Sequence, residues 1–333
     1  MAAARALAPP SYPVEIARAD LAPYRSSASG VDYLHTLDSG VAGPHLMVNA
    51  LTHGNEWCGM WVVKRLLDTG FCPRVGRLTL SFANVAAYDA LDADGASARF
   101  VDRDFNRLWH DTLLAADTQS VEARRAHAML PVVRTVDRLL DLHSTWHALE
   151  PFFVLSQLPR VRALADQLAM PPRQLFLPEV WHEGYHLIDY GAFRQPAAAA
   201  VGLIAECGQH FAQSSVDTAW RATVRFLEAH SMLDAGQAQA WCPGLAPPGG
   251  GIGRYEIAIP VIARTDALRL TCSYAGFVRF AVGEVAAMDG DEPVRAPFDG
   301  AVLLAPRPDP KAGQQAFSWG RLVAGAAFEQ GRE

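Results

Sequence analysis

Four residues of the chain carry side chains suited to joint work on a hydrolytic reaction, and each stands at the end of an apolar run. They are His53 and Glu56 in THGNEWCG, His143 in LLDLHST and Glu206 in VGLIAECG. Two imidazoles and a carboxylate are the donor types a catalytic zinc ion takes, with one position kept open for water. A separate carboxylate is then needed to move protons. The chain offers that inventory. The spacing His-x-x-Glu is cheap by itself, because it recurs at His147 and Glu150 in STWHALEPF. That second pair has Pro151 directly behind it and no turn residue ahead of it, so it reads as structural. His53 and Glu56 sit better: HLMVNAL reads as a buried strand, Gly54 and Asn55 make a turn, and WCGMWVVKRLL reads as a helix.

Further along, ARFVDRDFNRLWHD gathers Arg99, Asp104, Asn106 and Arg107 beyond the strand-like run RLTLSFANV. A plain surface loop has the same texture. In order, however, HGNE, then Arg-Phe-x-x-x-Asp-x-Asn-Arg, then Asp-Leu-His, then Glu resembles the succinylglutamate desuccinylase/aspartoacylase family, a branch of the zinc carboxypeptidase-like hydrolases. The resemblance covers most of the chain, and its short motifs are specific in combination. It implies one zinc per chain held by His53, Glu56 and His143, with Glu206 as general base and acid. It also implies that Arg99 polarises the scissile carbonyl and that Asn106 and Arg107 grip a substrate carboxylate. Chemistry supports each role. Zinc draws the pKa of water towards neutrality, so a nearby carboxylate takes its proton as it attacks. A cation where an oxyanion forms stabilises charge that develops only in the transition state, and a guanidinium matches a carboxylate in bidentate geometry. Two departures touch substrate size: Phe105 stands where Leu is usual, and the bulky Trp57-Cys58 follows the zinc-binding Glu.

Other readings stay open around these residues. Asp141, two positions before His143 and on the same strand face, either orients a ligand from behind or is a surface Asp. Glu206 follows VGLIA, so its carboxylate is either functional or a costly burial. Arg194 in GAFRQP resembles a second anion clamp that the family uses near its catalytic Glu, at looser spacing. His182, His186 and His210 have no assigned role. Cys58 and Cys207 flank the site, and their default is packing as small apolar residues. Segment 173–191, RQLFLPEVWHEGYHLIDYG, reads equally as a lid over the site or as a connecting loop with buried aromatics.

The elements that would place these residues alternate from about residue 30 to 232: strand-like HLMVNAL, RLTLSFANV, RLLDLH, PFFVLS and VGLIAE between helical stretches. The expected fold class is therefore α/β, a zinc carboxypeptidase-like mixed, largely parallel sheet flanked by helices. The key residues fall at strand ends, where open α/β sheets bind ligands. The texture then changes to Pro and Gly at 242–251 and to short strand-like runs beyond. The expected organisation is a catalytic domain over 1–241, a linker over 242–251 and a small all-β domain over 252–333. APFDGAVL in the last resembles the family's barrel-like carboxy-terminal domain, which implies pocket shaping or assembly, with a homo-oligomer left open.

At 333 residues, 50% hydrophobic and 19% charged, the chain has the balance of a globular enzyme. Its net charge of −6 argues against nucleic acid or anionic membrane as partners, while the arginines and metal of the site would attract a small carboxylate-bearing substrate. Five cysteines without paired spacing imply no disulfide framework. The N-terminus lacks an apolar core before Pro9 and Pro10, and no run is long enough to span a bilayer, so the cytoplasm is expected. The expected activity is zinc-dependent removal of an acyl group from an N-acyl amino acid. A carboxypeptidase acting on short or cell-wall peptides is the alternative, and an inactive binding module the remaining one.

Overall fold

Three apolar stretches that alternate between two faces decide the architecture. A computed structural model describes residues 6–90, 99–178, 184–245 and 251–324. In chain order it begins with Leu34–Asp38 (β1), His45–Ala50 (β2), Cys58–Asp68 (α1), Arg77–Phe82 (β3) and Val85–Asp89 (α2). Asp111–Ala116 (α3), Val121–Val133 (α4), Arg138–Thr145 (β4), Phe152–Leu155 (β5), Pro159–Leu168 (α5) and Arg173–Phe176 (β6) follow. Val201–Gln209 (β7), Gln213–Ala229 (α6) and Ala235–Trp241 (α7) complete the helical part. The rest is strand: Gly253–Ile262 (β8), Leu268–Leu270 (β9), Val278–Phe280 (β10), Val285–Asp289 (β11), Glu292–Arg295 (β12), Ala301–Leu304 (β13) and Gln315–Ala324 (β14).

The main sheet runs β1-β3-β2-β4-β7-β5-β6-β8-β14-β13-β10, and a smaller one runs β12-β11-β9. At its centre β3, β2, β4 and β7 are parallel, while β1 pairs antiparallel with β3 and β5 pairs antiparallel with β7 but parallel with β6. The fold is thus mixed α/β with added antiparallel structure at the C-terminal end, as the sequence pattern predicts.

Strand side chains alternate, so each central strand feeds two cores. Leu46, Val48, Leu140, Leu142, Leu203 and Ala205 pack with α1 and α6. Met47, Leu139 and Ile204 pack on the opposite face with Ala126, Met129 and Val133 of α4. This parity sends Asp141 and His143, and Glu206 beside Ile204, to the α4 face. The beyond-β7 strands hold their own core around Phe280, Leu303, Phe317 and Trp319.

β6 corrects one expectation. Residues 173–176, read from sequence as the start of a lid or loop, are a fully buried strand between β5 and β8. Residues 179–183 of that segment, including His182, lie outside the described residues, as do 246–250 of the expected linker and 325–333. β8 pairs parallel with β6 and antiparallel with β14, so one hydrogen-bonded sheet continues into the C-terminal part. The N-terminal stretch crosses between the two parts: Leu7 N donates to Leu270 O, Tyr12 Oη meets His147 Nδ1, and Glu15 N donates to Phe211 O.

Candidate active site

The site forms where β2, β4 and β7 end side by side. Leu51 takes a left-handed φ of +56° and turns the chain out of β2, and its carbonyl accepts from Asn84 N. His53 and Glu56 then reach back over the strand ends before α1 begins. Helix α1 comes in close because Gly59 has no side chain: a Cβ there would stand 2.7 Å from Leu142 Cβ and 3.0 Å from Ala50 Cβ. Parallel pairing sets His143 on β4 directly beside Glu206 on β7. His53, Glu56 and His143 are buried, while Glu206 is partly exposed with its Oε2 enclosed.

The structure brings His53, Glu56 and His143 together, each offering one ligand atom, all within 4.8 Å of one another. His53 Nδ1 lies 2.8 Å from Glu56 Oε1, and His143 Nδ1 lies 2.8 Å from Glu56 Oε2. Behind them, His53 Nε2 meets Asp104 Oδ1 at 3.0 Å. His143 Nε2 stands 2.9 Å from Asp141 Oδ2, an ion-pair distance without hydrogen-bond alignment. Asp141 Oδ1 accepts from Asn49 Nδ2 and Thr52 Oγ1, so Asp141 is buried behind the histidine and not on the surface. An imidazole whose Nε2–H faces a carboxylate turns the lone pair of Nδ1 forward. Two such lone pairs aimed at both oxygens of one carboxylate leave room only for a proton or a cation between them. Burial lowers the proton affinity of His143, yet Asp141 and Glu56 raise it well above the usual imidazole range. Burial likewise opposes ionisation of Glu56, and His53 with His143 overcomes it, holding Glu56 well below the usual carboxylate range. A donor set of two imidazoles and one carboxylate, each imidazole backed by an acid, fits zinc.

Glu206 is the contrasting group. Its Oε2 is buried and has no hydrogen-bond partner among the described residues. Burial pushes its pKa up to about 8, against the pull of His143. Arg99 spans the mouth of the site with a side chain 40% exposed, its Nη1 3.1 Å from Glu56 Oε1 and its Nε 3.2 Å from Asp104 Oδ2. Asp104 therefore serves His53 with one oxygen and Arg99 with the other. It also caps the 3₁₀ turn Phe105–Arg107 by accepting from Asn106 N.

Asn106 is buried, and its Oδ1 accepts from Leu187 N at 2.8 Å. That bond assigns Oδ1 as acceptor and leaves Nδ2 as the amide's donor. Arg107, half-buried, donates from Nη1 to Asn106 O. Its backbone is clasped by the chain at 184–185: Tyr185 N donates to Arg107 O, and Gly184, at φ +126°, lies so close that a Cβ would stand 2.3 Å from that oxygen. Arg194 packs on this same clasp. Its guanidinium stacks on Tyr185 and lines a recess of about 370 Å³ with Trp109, Tyr190 and Asp189, and none of the three metal-cluster residues lines that recess.

The remaining candidates sort by strand parity. Cys207 shares the face of Ala205, packing with α1 and α6, so it points away from Glu206, and Cys58 donates to His143 O. Trp57 is buried edge-on against Tyr88 and Phe211, its indole N–H on Gly54 O. His147 is buried against Tyr12 and Tyr274, and Glu150 pairs with Arg173, both apart from the metal cluster. Two partners stood in the sequence without a role: Asp104, the Asp of the Arg-Phe-x-x-x-Asp-x-Asn-Arg series, and His210, bonded to Ser144 Oγ at 2.8 Å and pushed down to about 4 by burial.

The succinylglutamate desuccinylase/aspartoacylase catalytic domain is matched over residues 42–223. No match to a curated protein is found. Among solved structures, succinylglutamate desuccinylase from Vibrio cholerae is 20% identical with a TM-score of 0.63, covering 85% of this chain and 82% of that one. The product-bound ectoine utilization protein EutE (DoeB) from Ruegeria pomeroyi is 16% identical at TM-score 0.64, over 86% of this chain and 88% of that one. Murine aminoacylase 3 is 19% identical at TM-score 0.58, over 85% and 96%. At these identities the likeness to each structure is one of fold. The family match, however, spans more than half of the sequence and contains His53, Glu56, Arg99, His143 and Glu206: the chain belongs to the succinylglutamate desuccinylase/aspartoacylase family.

Proposed function

We propose that the protein is a zinc-dependent hydrolase that cleaves the amide bond of an N-acyl amino acid, releasing a carboxylic acid and a free amine. One observation carries this reading: two histidine Nδ1 atoms face the two oxygens of buried Glu56, with a second carboxylate on the adjoining strand, that of Glu206, whose Oε2 has no donor among the described residues. When bound by His53, Glu56 and His143, zinc would supply Lewis acidity and make water acidic enough to be deprotonated near neutral pH. Glu206 takes that proton as the water oxygen adds to the amide carbon, then returns it to the amine nitrogen as the C–N bond breaks. Its raised pKa suits a group that must hold a proton between those steps, and a divalent ion held by His53, Glu56 and His143 would bring it back towards the range of a base.

Arg99, already held by Glu56 and Asp104, is the cation that meets charge growing on the carbonyl oxygen. The fixed amide of Asn106 and the Arg107 guanidinium form a clamp for the amino-acid carboxylate. Arg194, stacked on the Tyr185 ring next to the backbone clasp of Arg107, is the candidate for a second anion contact.

The test is a panel of N-acetyl and N-succinyl amino acids and dipeptides, assayed with metal content measured alongside. Hydrolysis of one N-acyl class with about one zinc per chain is the expected result. Turnover of dipeptides alone would move the protein to the carboxypeptidases, and zinc binding without any turnover would leave a binding module.

A further inference from the structure

Glu122 is the second residue of α4, and its carboxylate is completely buried. A buried carboxylate is costly unless donors surround it, and this one has four. Oε1 accepts from Val101 N at 2.7 Å and Asn84 Nδ2 at 3.1 Å; Oε2 accepts from Asp102 N and Arg103 N, each at 3.1 Å. Three consecutive backbone amides thus converge on one anion, the arrangement that elsewhere receives a bound phosphate or sulfate. Here the anion is the chain's own side chain, at a helix N-terminus that also favours negative charge.

The turn so held is the one between Arg99 and Asp104. It is fastened from the other side as well, with Val121 N donating to Asp102 Oδ2 at 2.7 Å and Arg103 paired to Asp117 at 2.9 Å. Asn84, which caps α2, ties the arrangement to the end of β3. Before the turn, Arg99 O accepts from Gly54 N, within the His53–Glu56 turn. After it, Asp104 divides its oxygens between His53 and Arg99. We propose that Glu122 is a positioning residue of the site: by fixing residues 101–103 it sets the reach of Arg99 and the angle of Asp104, and through Asp104 the His53 ring. A cap that served stability alone would need neither burial nor three amides of a distant loop.

The kinetic part of the inference rests on the hydrolase reading; the metal part rests only on zinc binding. The experiment compares the full chain with Glu122→Gln, Glu122→Ala and, as a control for lost helix capping far from the site, Asp234→Ala, which removes the capping box of α7. Zinc affinity is read by competition with a chromophoric chelator, kcat and KM on the N-acyl amino acid that the unsubstituted enzyme cleaves, and folding by thermal melting. Zinc affinity is expected to weaken about 10-fold in Glu122→Ala, as for other residues that orient a metal-ligating histidine. kcat per bound zinc should fall at least about 10-fold with KM little changed, and Glu122→Gln, which keeps one acceptor oxygen, should lose less. Asp234→Ala should melt earlier with both quantities unchanged. Should Glu122→Ala not fold, the near-isosteric Glu122→Gln decides. Glu122 variants that melt early yet bind zinc and turn over like the unsubstituted chain would overturn the proposal. If the unsubstituted chain binds zinc but cleaves nothing on the panel, the hydrolase reading fails, and undiminished zinc affinity in Glu122→Gln still overturns the positioning role.

Discussion

Asp141 and Glu206 are two carboxylates near His143 with opposite equipment. Asp141 has hydrogen-bond donors on one oxygen and an imidazole beside the other, whereas Glu206 Oε2 has no donor among the described residues. Their loss should therefore look different. Glu206→Gln keeps the shape and removes the proton acceptor, so zinc should stay bound while kcat drops by about 10²–10⁴; a variant that keeps a tenth of the activity would remove Glu206 from proton transfer. Asp141→Ala should instead weaken zinc about 10- to 100-fold and leave kcat per bound zinc much closer to normal. Arg107→Ala is expected to raise KM for N-acyl amino acids, with little effect on their carboxamide analogues. An unchanged KM would take Arg107 out of the carboxylate clamp.

Elements set the distances between these groups, and Gly59 shows how tightly. Gly59→Ala would press a methyl group against the β-carbons of Leu142 and Ala50, which cannot swing aside, so α1 must move and Glu56 with it. A stability loss of about 1–3 kcal/mol in denaturant titrations is expected, together with weaker zinc binding; normal metal affinity would show that Glu56 is not steered by the helix. The strands carrying the site were legible in the sequence because HLMVNAL, RLLDLH and VGLIAE are predominantly apolar runs, as strands covered on both faces tend to be. β6 was hidden because its first residues are Arg173 and Gln174, polar side chains whose burial is met by partners outside the strand, Glu150 and Asp166. The cluster itself was legible for a related reason: a metal fixes residue types, so His53, Glu56 and His143 advertise themselves. Glu122 did not, since hydrogen bonds to backbone amides at 101–103 leave no imprint on the residues that donate them.

At the scale of the whole molecule, the N-terminal stretch and the C-terminal strands meet around one buried histidine. His147 is fully enclosed by Tyr12 and Tyr274, and burial pushes its pKa down to about 4. An unfolded chain protonates that ring near pH 6.5, so between about pH 6.5 and 4 the unfolded form binds the extra proton and stability falls as the pH falls. The loss attributable to His147 is at most about 3 kcal/mol. In His147→Gln the stability curve should be flatter over that window, measured by urea titration at successive pH values. Parallel curves for the two proteins would show that the ring is not a source of acid sensitivity. Because β8 joins β6 and β14 in one sheet, a single cooperative transition is expected by calorimetry; two resolved peaks would mean that the β6–β8 seam yields first.

The same seam has a consequence for how the chain is made. Every residue of the proposed site lies before position 207, so a ribosome has delivered the full chemical complement while β8 is still unwritten. Until it emerges, β6 is the last strand of the growing sheet, its backbone unpaired on one side and Leu175 and Phe176 near the rim. Such a rim is where nascent chains pair with one another. The C-terminal strands thus act as a late closure that protects the nearly finished polypeptide from its neighbours, and a message truncated after α7 would yield chains prone to aggregate while carrying all the groups for catalysis.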